Sequence, residues 1–501
     1  MSGPATNGDT LKERSVRATF WSGVEIFLRR GLQFGVSIAL ARILEPEDFG
    51  TIGILLFFIG IASHFVDTGF SAALIQRKTL EPDDATSVFW FNIGSGALLT
   101  LGLWAGAPLI ARFFRVPELE PLTRVMALTL FLSAFSAVQQ SLLVRRLEFK
   151  IQAKIGGAAT LIAGTVAVVL ALLGAGPWAL AFQSVTLQFV TASLLWLFGG
   201  WRPRGRCRLT ALRRLFEFSG PLFGYFGLGV VYSRLYSLLI GRFYSTRELG
   251  FYSRANNTQS LPWSFLVAVI SRTAFPAFST IAGEPERFRR WFVTVQRGLL
   301  FLTAPIALGM GAVASNLIPA LFGTKWLPSV PILQVLCLVG LFEPLHELYN
   351  VVLMASGRSR ALLKADALVK GTGIVLVLAT TPFGVLAMAA AAVGYSVAGV
   401  VIKGRSAGSA LGIPATSQLY GVLPVLGMAV ASAGAAFLAG HRLVLGPWPS
   451  LGVQVAVGAA VYLGLAAVFG KSGIGESLTF AIQVFRRQEA LEPSRRENGG
   501  G

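Results

Sequence analysis

Charge is scarce in this chain. Of its 501 residues only 13% are Asp, Glu, Lys or Arg, about half of the roughly 25% that a soluble globular protein carries. Hydrophobic residues make up 54%, and the mean hydropathy is +0.65. Such a chain has too little polar surface to cover a water-facing globule. That excludes the row of soluble domains, each of about 150 residues, that length alone would suggest. Cysteine is scarcer still: Cys207 lies in a basic stretch and Cys337 in an apolar run, so neither a disulfide framework nor a zinc site is indicated. Acid is scarce against base, 24 Asp+Glu to 43 Lys+Arg, for a formal charge of +19. The opening 17 residues are polar and hold no short apolar core with a cleavage site, so no cleaved signal peptide is expected.

What is abundant is long apolar sequence. A helix of about 20 residues spans the hydrocarbon of a bilayer, and fourteen such stretches can be read: 21–44, 49–75, 86–110, 122–144, 155–173, 177–198, 216–240, 249–270, 291–311, 331–354, 361–380, 383–402, 419–438 and 451–469. With the N-terminus placed in the cytoplasm, alternate segments collect the cations. Lys12, Arg14 and Arg17, Arg77 and Lys78, Arg145 to Lys154, Arg202 to Arg214, Arg272 to Arg290, Arg358 to Lys364, Lys403 and Arg405, and the C-terminal arginines all fall on one side. The opposite loops hold only Arg42, Arg112, Arg115, Arg242, Arg247, Lys325 and Arg442. That bias, about four to one, places both termini in the cytoplasm by the positive-inside rule. Most of the net charge is therefore topological, and no nucleic-acid partner is implied. Extracytoplasmic loops are short, and the longest, 312–330, holds no cluster of Asp, Glu or His. No metal-ligand spacing, phosphate-cradling glycine loop or nucleotide motif stands out. These absences argue against an enzyme and against an ATP-driven pump.

The stretch Ala41-Arg42-Ile43-Leu44-Glu45-Pro46-Glu47-Asp48-Phe49-Gly50 is echoed by Gly241-Arg242-Phe243-Tyr244-Ser245-Thr246-Arg247-Glu248-Leu249-Gly250, and Trp21-Ser22-Gly23 by Phe218-Ser219-Gly220. The first echo falls on the same side of the membrane after an even number of crossings, as parallel repeats require. The expected fold is an all-α integral membrane protein of about fourteen helices, with two pseudo-symmetric six-helix lobes and two further C-terminal helices. Its parts are an N-terminal lobe at 1–200, a basic cytoplasmic linker at 201–214, a C-terminal lobe at 215–403, two additional helices within 404–470 and a polar cytoplasmic tail at 471–501.

A charge at the centre of a membrane helix costs about 2.5–3.5 kcal/mol on insertion scales, so each one should face a polar cavity or a partner. Helix one carries Ser22, Glu25, Arg29, Gln33 and Ser37 at steps of three and four, a polar stripe with a Glu25–Arg29 pair, and Arg30 stands on the neighbouring face. Arg234 lies in helix seven among Tyr232, Ser233, Tyr236 and Ser237, Arg254 enters helix eight, and Arg297 sits within helix nine. Helix ten groups Glu343, His346, Glu347 and Asn350 on one face, and helix eleven offers Asp366 and Lys370 at i,i+4. For this acidic group, pairing between helices and a proton or cation relay both remain open. An arginine-lined cavity suits an anionic substrate, because guanidinium stays charged and binds phosphate oxygens bidentately.

The run Ser37–Gly50 (SIALARILEPEDFG), followed by Gly69-Phe70-Ser71-Ala72-Ala73-Leu74-Ile75-Gln76-Arg77, resembles the Wzx-type polysaccharide flippases of the MOP superfamily, in particular the colanic-acid-exporter-like polysaccharide transporter group. Phe275-Pro276-Ala277-Phe278-Ser279, Leu321-Phe322-Gly323-Thr324-Lys325-Trp326 and Ala355-Ser356-Gly357-Arg358 extend the resemblance across roughly residues 12–405. It implies alternating access between two six-helix lobes in a bacterial inner membrane. The implied cargo is an undecaprenyl-diphosphate-linked oligosaccharide, moved from the cytoplasmic to the periplasmic leaflet. On that reading Arg29 and Arg30, with Arg234, Arg254 and Arg297, attract the diphosphate or acidic sugars, and Glu25 orients Arg29. Glu343, His346, Glu347, Asp366 and Lys370 serve ion coupling or internal pairing. No cofactor is expected beyond a proton or sodium gradient or the membrane potential. The partners are the lipid-linked oligosaccharide, membrane lipids and polysaccharide assembly proteins. Two other readings stay open: an ion-coupled small-molecule or drug antiporter of the same superfamily, and a membrane-embedded glycan polymerase or ligase.

Overall fold

The computed structural model describes residues 30–67, 70–76, 80–413, 422–442 and 446–469. Glu25, Arg29 and the expected tail at 471–501 lie outside the described residues. Among the described residues the fold is helical, with no strand. The helices are α1 over 30–43, α2 Pro46–Asp67, α3 Phe70–Gln76, α4 Pro82–Phe114, α5 Leu119–Arg145, α6 Phe149–Leu172, α7 Pro177–Phe198, α8 Leu209–Phe243, α9 Thr246–Thr280, α10 Pro285–Phe322, α11 Ser329–Ala355, α12 Ser359–Thr380, α13 Val385–Leu411, α14 Leu423–Arg442 and α15 Pro447–Phe469. They form two compact units, Met1–Ser253 and Arg254–Gly501, with the boundary inside α9.

Ten of these helices are long and apolar enough to cross a membrane, and they match ten of the fourteen expected spans. The other four expected spans fall on α1, α8, α9 and α12, which are helical at the expected places over the described residues. Outward faces agree with a lipid solvent. On α4, Leu98, Leu101 and Leu109 are 72%, 65% and 68% exposed, and such contiguous apolar surface is not tolerated in water. This is a multi-pass membrane protein.

In the first unit, α4 packs on α5, α6 on α7, and α2 on α8. A core of Phe70, Leu74, Phe89, Val138, Leu142 and Leu215 is closed by aromatic edges, with Phe89 set against Phe135, Trp196 and Trp201. Part of the expected linker is helical, since α8 begins at Leu209 and so includes Arg213 and Arg214. The remainder is strapped across the N-terminus of α4. The backbone N–H groups of Gly205, Arg206 and Arg208 donate to Thr86 Oγ1, Asp83 Oδ1 and Ser87 Oγ at 3.1, 2.9 and 2.9 Å. Arg208 pairs with Asp83 at 2.9 Å, and Arg214 reaches Asp84 at 2.6 Å and Glu81 at 3.3 Å. Those two carboxylates hold the Arg214 guanidinium above its ordinary pKa.

In the second unit, Phe278, Phe292, Leu348, Tyr349 and Val352 centre a core. The two C-terminal helices are integral to it. Asn316 on α10 donates to Gln454 on α15 at 2.8 Å, and Tyr462 on α15 donates to the carbonyl of Phe301 at 2.6 Å. Such interhelical bonds satisfy polar groups that lipid cannot.

Candidate intramembrane binding and coupling sites

In the first unit, Arg234 projects from α8 toward α2. It is half-buried, and Gly60 on α2 makes the room: a Cβ there would stand 3.0 Å from Arg234 Nε. Beside it, Tyr232 and Tyr236 meet edge to face at 6.2 Å, and Tyr236 stacks on Tyr252 of α9 with ring centroids 5.6 Å apart and planes 4° from parallel. Among the described residues Arg234 makes no hydrogen bond or ion pair. Arg30, half-buried at the start of α1, likewise has none. Among the described residues these half-buried cations have no counter-charge, a condition that favours capture of an anion.

In the second unit the other two expected arginines stand in different settings. Arg254 is 3% exposed. Its guanidinium lies 4.6 Å from the Phe322 ring and 4.8 Å from the Trp326 ring, a cation–π clamp that joins α9 to the end of α10 and the short turn after it. Arg297, on α10, is half-buried, and its Nε has no hydrogen-bond partner among the described residues.

The acidic group of α11 meets α12 and α13. Asp366 is the centre: Lys370, one turn along α12, approaches Oδ2 at 2.6 Å, and Lys403 of α13 donates to Oδ1 at 2.9 Å. Lys403 also donates to Asn350 Oδ1 at 3.0 Å, and Asn350 Nδ2 reaches Glu347 at 3.4 Å. Glu343 lies within electrostatic reach of Lys403 and Glu347. His346 Nε2 sits 2.9 Å from the Ser396 carbonyl, in a space left by Gly399, where any Cβ would overlap the imidazole. Three carboxyl groups, half-buried at Glu343 and Glu347 and buried at Asp366, thus share this region with two buried ammonium groups.

Lys403 escapes a sequence reading because it follows the apolar run of α13 and looks like its first cytoplasmic residue. The helix continues to Leu411, however, and keeps Lys403 inside, 3% exposed. The strap is missed for a similar reason: Arg208 and Arg214 look like topology signals, while Asp83 and Asp84 sit more than a hundred residues away. Among the described residues no group of His, Cys, Asp and Glu could hold a metal ion.

Comparison with known proteins adds three findings. Residues 39–331 match the family described as "Polysaccharide biosynthesis protein". The chain is 27% identical to the "Lipopolysaccharide biosynthesis protein WzxC" of Escherichia coli (strain K12), over 70% of this chain and 71% of that protein, and 29% identical to the "Succinoglycan biosynthesis transport protein ExoT" of Rhizobium meliloti (strain 1021), over 68% of each. Its fold is similar to that of "Lipid II flippase MurJ, inward closed conformation", with a TM-score of 0.74 at 15% identity, covering 92% of this chain and 99% of that one. It is also similar to a multidrug resistance MATE family transporter of the MOP superfamily, with a TM-score of 0.58 at 13% identity, over 81% and 98%.

Proposed function

Because the chain belongs to the polysaccharide biosynthesis protein family, we propose that it is a flippase that carries a lipid-linked oligosaccharide diphosphate across a bacterial inner membrane. The observation that carries this reading is Arg234: a half-buried guanidinium within a membrane helix, given space by Gly60 and without a counter-charge among the described residues. A diphosphate supplies the missing charge, and the planar guanidinium can bind its oxygens bidentately. Arg29 and Arg30 extend the same attraction along the first helix, with Glu25 orienting Arg29, and Arg297 offers an Nε that has no partner among the described residues of the second unit. Arg254, with its guanidinium over the rings of Phe322 and Trp326, contributes by fixing the packing of α9. The name of one relative, a succinoglycan biosynthesis transport protein, and that of a structural neighbour of the same fold, a lipid II flippase, agree with a lipid-linked glycan as cargo.

Transport occurs by alternating access, with both termini cytoplasmic. The Glu343–His346–Glu347–Asp366–Lys370 group, joined by Lys403, couples it to a proton or sodium gradient or to the membrane potential. Glycan assembly enzymes supply the substrate. The test is complementation: in cells depleted of their own exporter the chain restores surface glycan. Arg234→Ala, and Arg29→Ala combined with Arg30→Ala, lose that activity at equal membrane abundance. Full export by both variants would refute the cationic site.

A further inference from the structure

α2 and α8 meet along a seam at which glycine on one helix faces a side chain of the other. A Cβ on Gly241 of α8 would stand 2.8 Å from Ile54 of α2, and a Cβ on Gly60 of α2 would stand 3.0 Å from Arg234 Nε of α8. At the next step a Cβ on Gly227 of α8 would stand 3.2 Å from His64 Nε2 and 3.4 Å from His64 Cδ2 of α2. Positions rise along one helix as they fall along the other, so the two run antiparallel. Gly60 and His64 are one turn apart and share a face of α2, and Gly227 and Arg234 are two turns apart and share a face of α8. Each helix therefore supplies one of the two polar side chains and the notch that receives the other.

Ile54 is the guest that packing within a membrane protein calls for. A guanidinium and an imidazole in the other two notches are not, because polar groups at membrane depth cost free energy unless they serve a polar space or a partner. Both stay half-buried. Counted from residue 49, where the apolar stretch begins, Gly60 and His64 lie about 16 and 22 Å along the helix, within a bilayer core of about 30 Å. In the proposed topology that is the middle of the membrane and its cytoplasmic half. The two groups are about 6 Å apart along α2, and helical side chains lean toward the N-terminus, so His64 leans toward Gly60 and the guanidinium lodged there. One phosphoryl group fills the fork of Arg234. A second phosphoryl group bonded to the first extends toward the next turn, where an imidazole offers an N–H donor in either neutral tautomer and two donors as imidazolium.

We propose that His64 is a second binding residue of the anion site, taking the phosphoryl group next to the one held by Arg234, and that the pair makes the site selective for a lipid diphosphate over a lipid monophosphate. The proposal rests on the flippase reading, and the test keeps the two apart. The full chain, purified in detergent, is titrated with undecaprenyl diphosphate and, separately, with undecaprenyl monophosphate, and binding is read by native mass spectrometry. The parent chain binds the diphosphate more tightly. His64→Ala weakens diphosphate binding about tenfold, the worth of one hydrogen bond to a charged group, and leaves monophosphate binding within about twofold. Arg234→Ala weakens both. Gly227→Ala crowds the imidazole from the opposite helix and so lowers diphosphate binding selectively, by a smaller factor. Where His64→Ala does not accumulate, His64→Asn and Gly227→Ala are read in the same way. A role for His64 in packing alone gives equal losses for the two lipids. Equal losses, or a diphosphate affinity unmoved by His64→Ala, overturn the proposal and leave Arg234 and the flippase reading standing. Binding of neither lipid by the parent chain, or binding indifferent to Arg234→Ala, removes the anion site and this proposal with it.

Discussion

The Asp366 cluster makes a quantitative prediction about its asymmetry. Asp366 is 5% exposed and lies between Lys370 at 2.6 Å and Lys403 at 2.9 Å. Each attraction is about 6 kcal/mol gross at an effective dielectric of about 20, and most of it is offset by desolvation of the ions. Replacing one lysine and replacing the acid therefore have unequal consequences. Lys403→Met removes a charged hydrogen bond, a loss of about 1.5–3 kcal/mol, but leaves Asp366 paired with Lys370. Asp366→Asn leaves two ammonium groups facing each other without their acid, at about 3–5 kcal/mol. The double variant relieves that repulsion, so Lys403→Met is expected to stabilise the Asp366→Asn protein by about 1–2 kcal/mol, a strong coupling for two touching residues. The assay is thermal unfolding of the detergent-purified proteins, followed by fluorescence-detected size exclusion at matched concentration, with the four members of the cycle side by side. Additive losses, with the double variant the least stable of the four, would refute the internal pairing derived from these distances.

Three further outcomes follow from the same geometry. Arg234→Lys keeps a charge but loses the bidentate fork, so glycan export should fall well below that of the parent chain without reaching the loss of Arg234→Ala, and Gly60→Leu, which takes the space of the guanidinium, should match Arg234→Ala in the complementation assay at equal abundance. Arg254→Met removes the charge from between Phe322 and Trp326 and should lower stability by about 2 kcal/mol or more, seen as a lower unfolding temperature, while export at permissive temperature persists. Arg214→Ala strips the carboxylate of Asp84, only 1% exposed, of its ion pair with Arg214, whereas Arg208→Ala breaks a more exposed pair with Asp83, so the former should speed tryptic cleavage of the strap far more than the latter.

Much of the fold is legible in the sequence, because lipid imposes a simple rule: every backbone polar group must be satisfied within the helix, so long apolar runs have one outcome. Ten spans could be read on that basis, and the charged runs that became α8, α9 and α12 also form helices at the expected positions. The repeat at Gly50 and Gly250 is visible as letters, but its self-contact, with Gly50 against the Thr246 carbonyl and Gly250 against the Pro46 carbonyl, is not, since nothing in a linear pattern says that two equivalent helix starts will meet. The candidate sites divide in the same way. Intramembrane arginines are conspicuous one by one, yet only packing distinguishes Arg234, beside a glycine and with no ion pair among the described residues, from Arg254, held over two aromatic rings. Lys403 stayed hidden because a helix end placed at 402 rather than at Leu411 turns a buried partner of Asp366 into a topology signal.

The central claim is movement of a lipid-linked oligosaccharide through a site organised by Arg234. The direct measurement uses the purified chain in proteoliposomes loaded with a lipid diphosphate oligosaccharide, and follows the fraction of its glycan that becomes accessible to a membrane-impermeant reagent in the opposite leaflet. The account predicts transfer that requires the protein and is lost with Arg234→Ala at equal incorporation. Transfer that proceeds equally with the Arg234→Ala chain, or no transfer above protein-free vesicles under any imposed ion gradient, would contradict it.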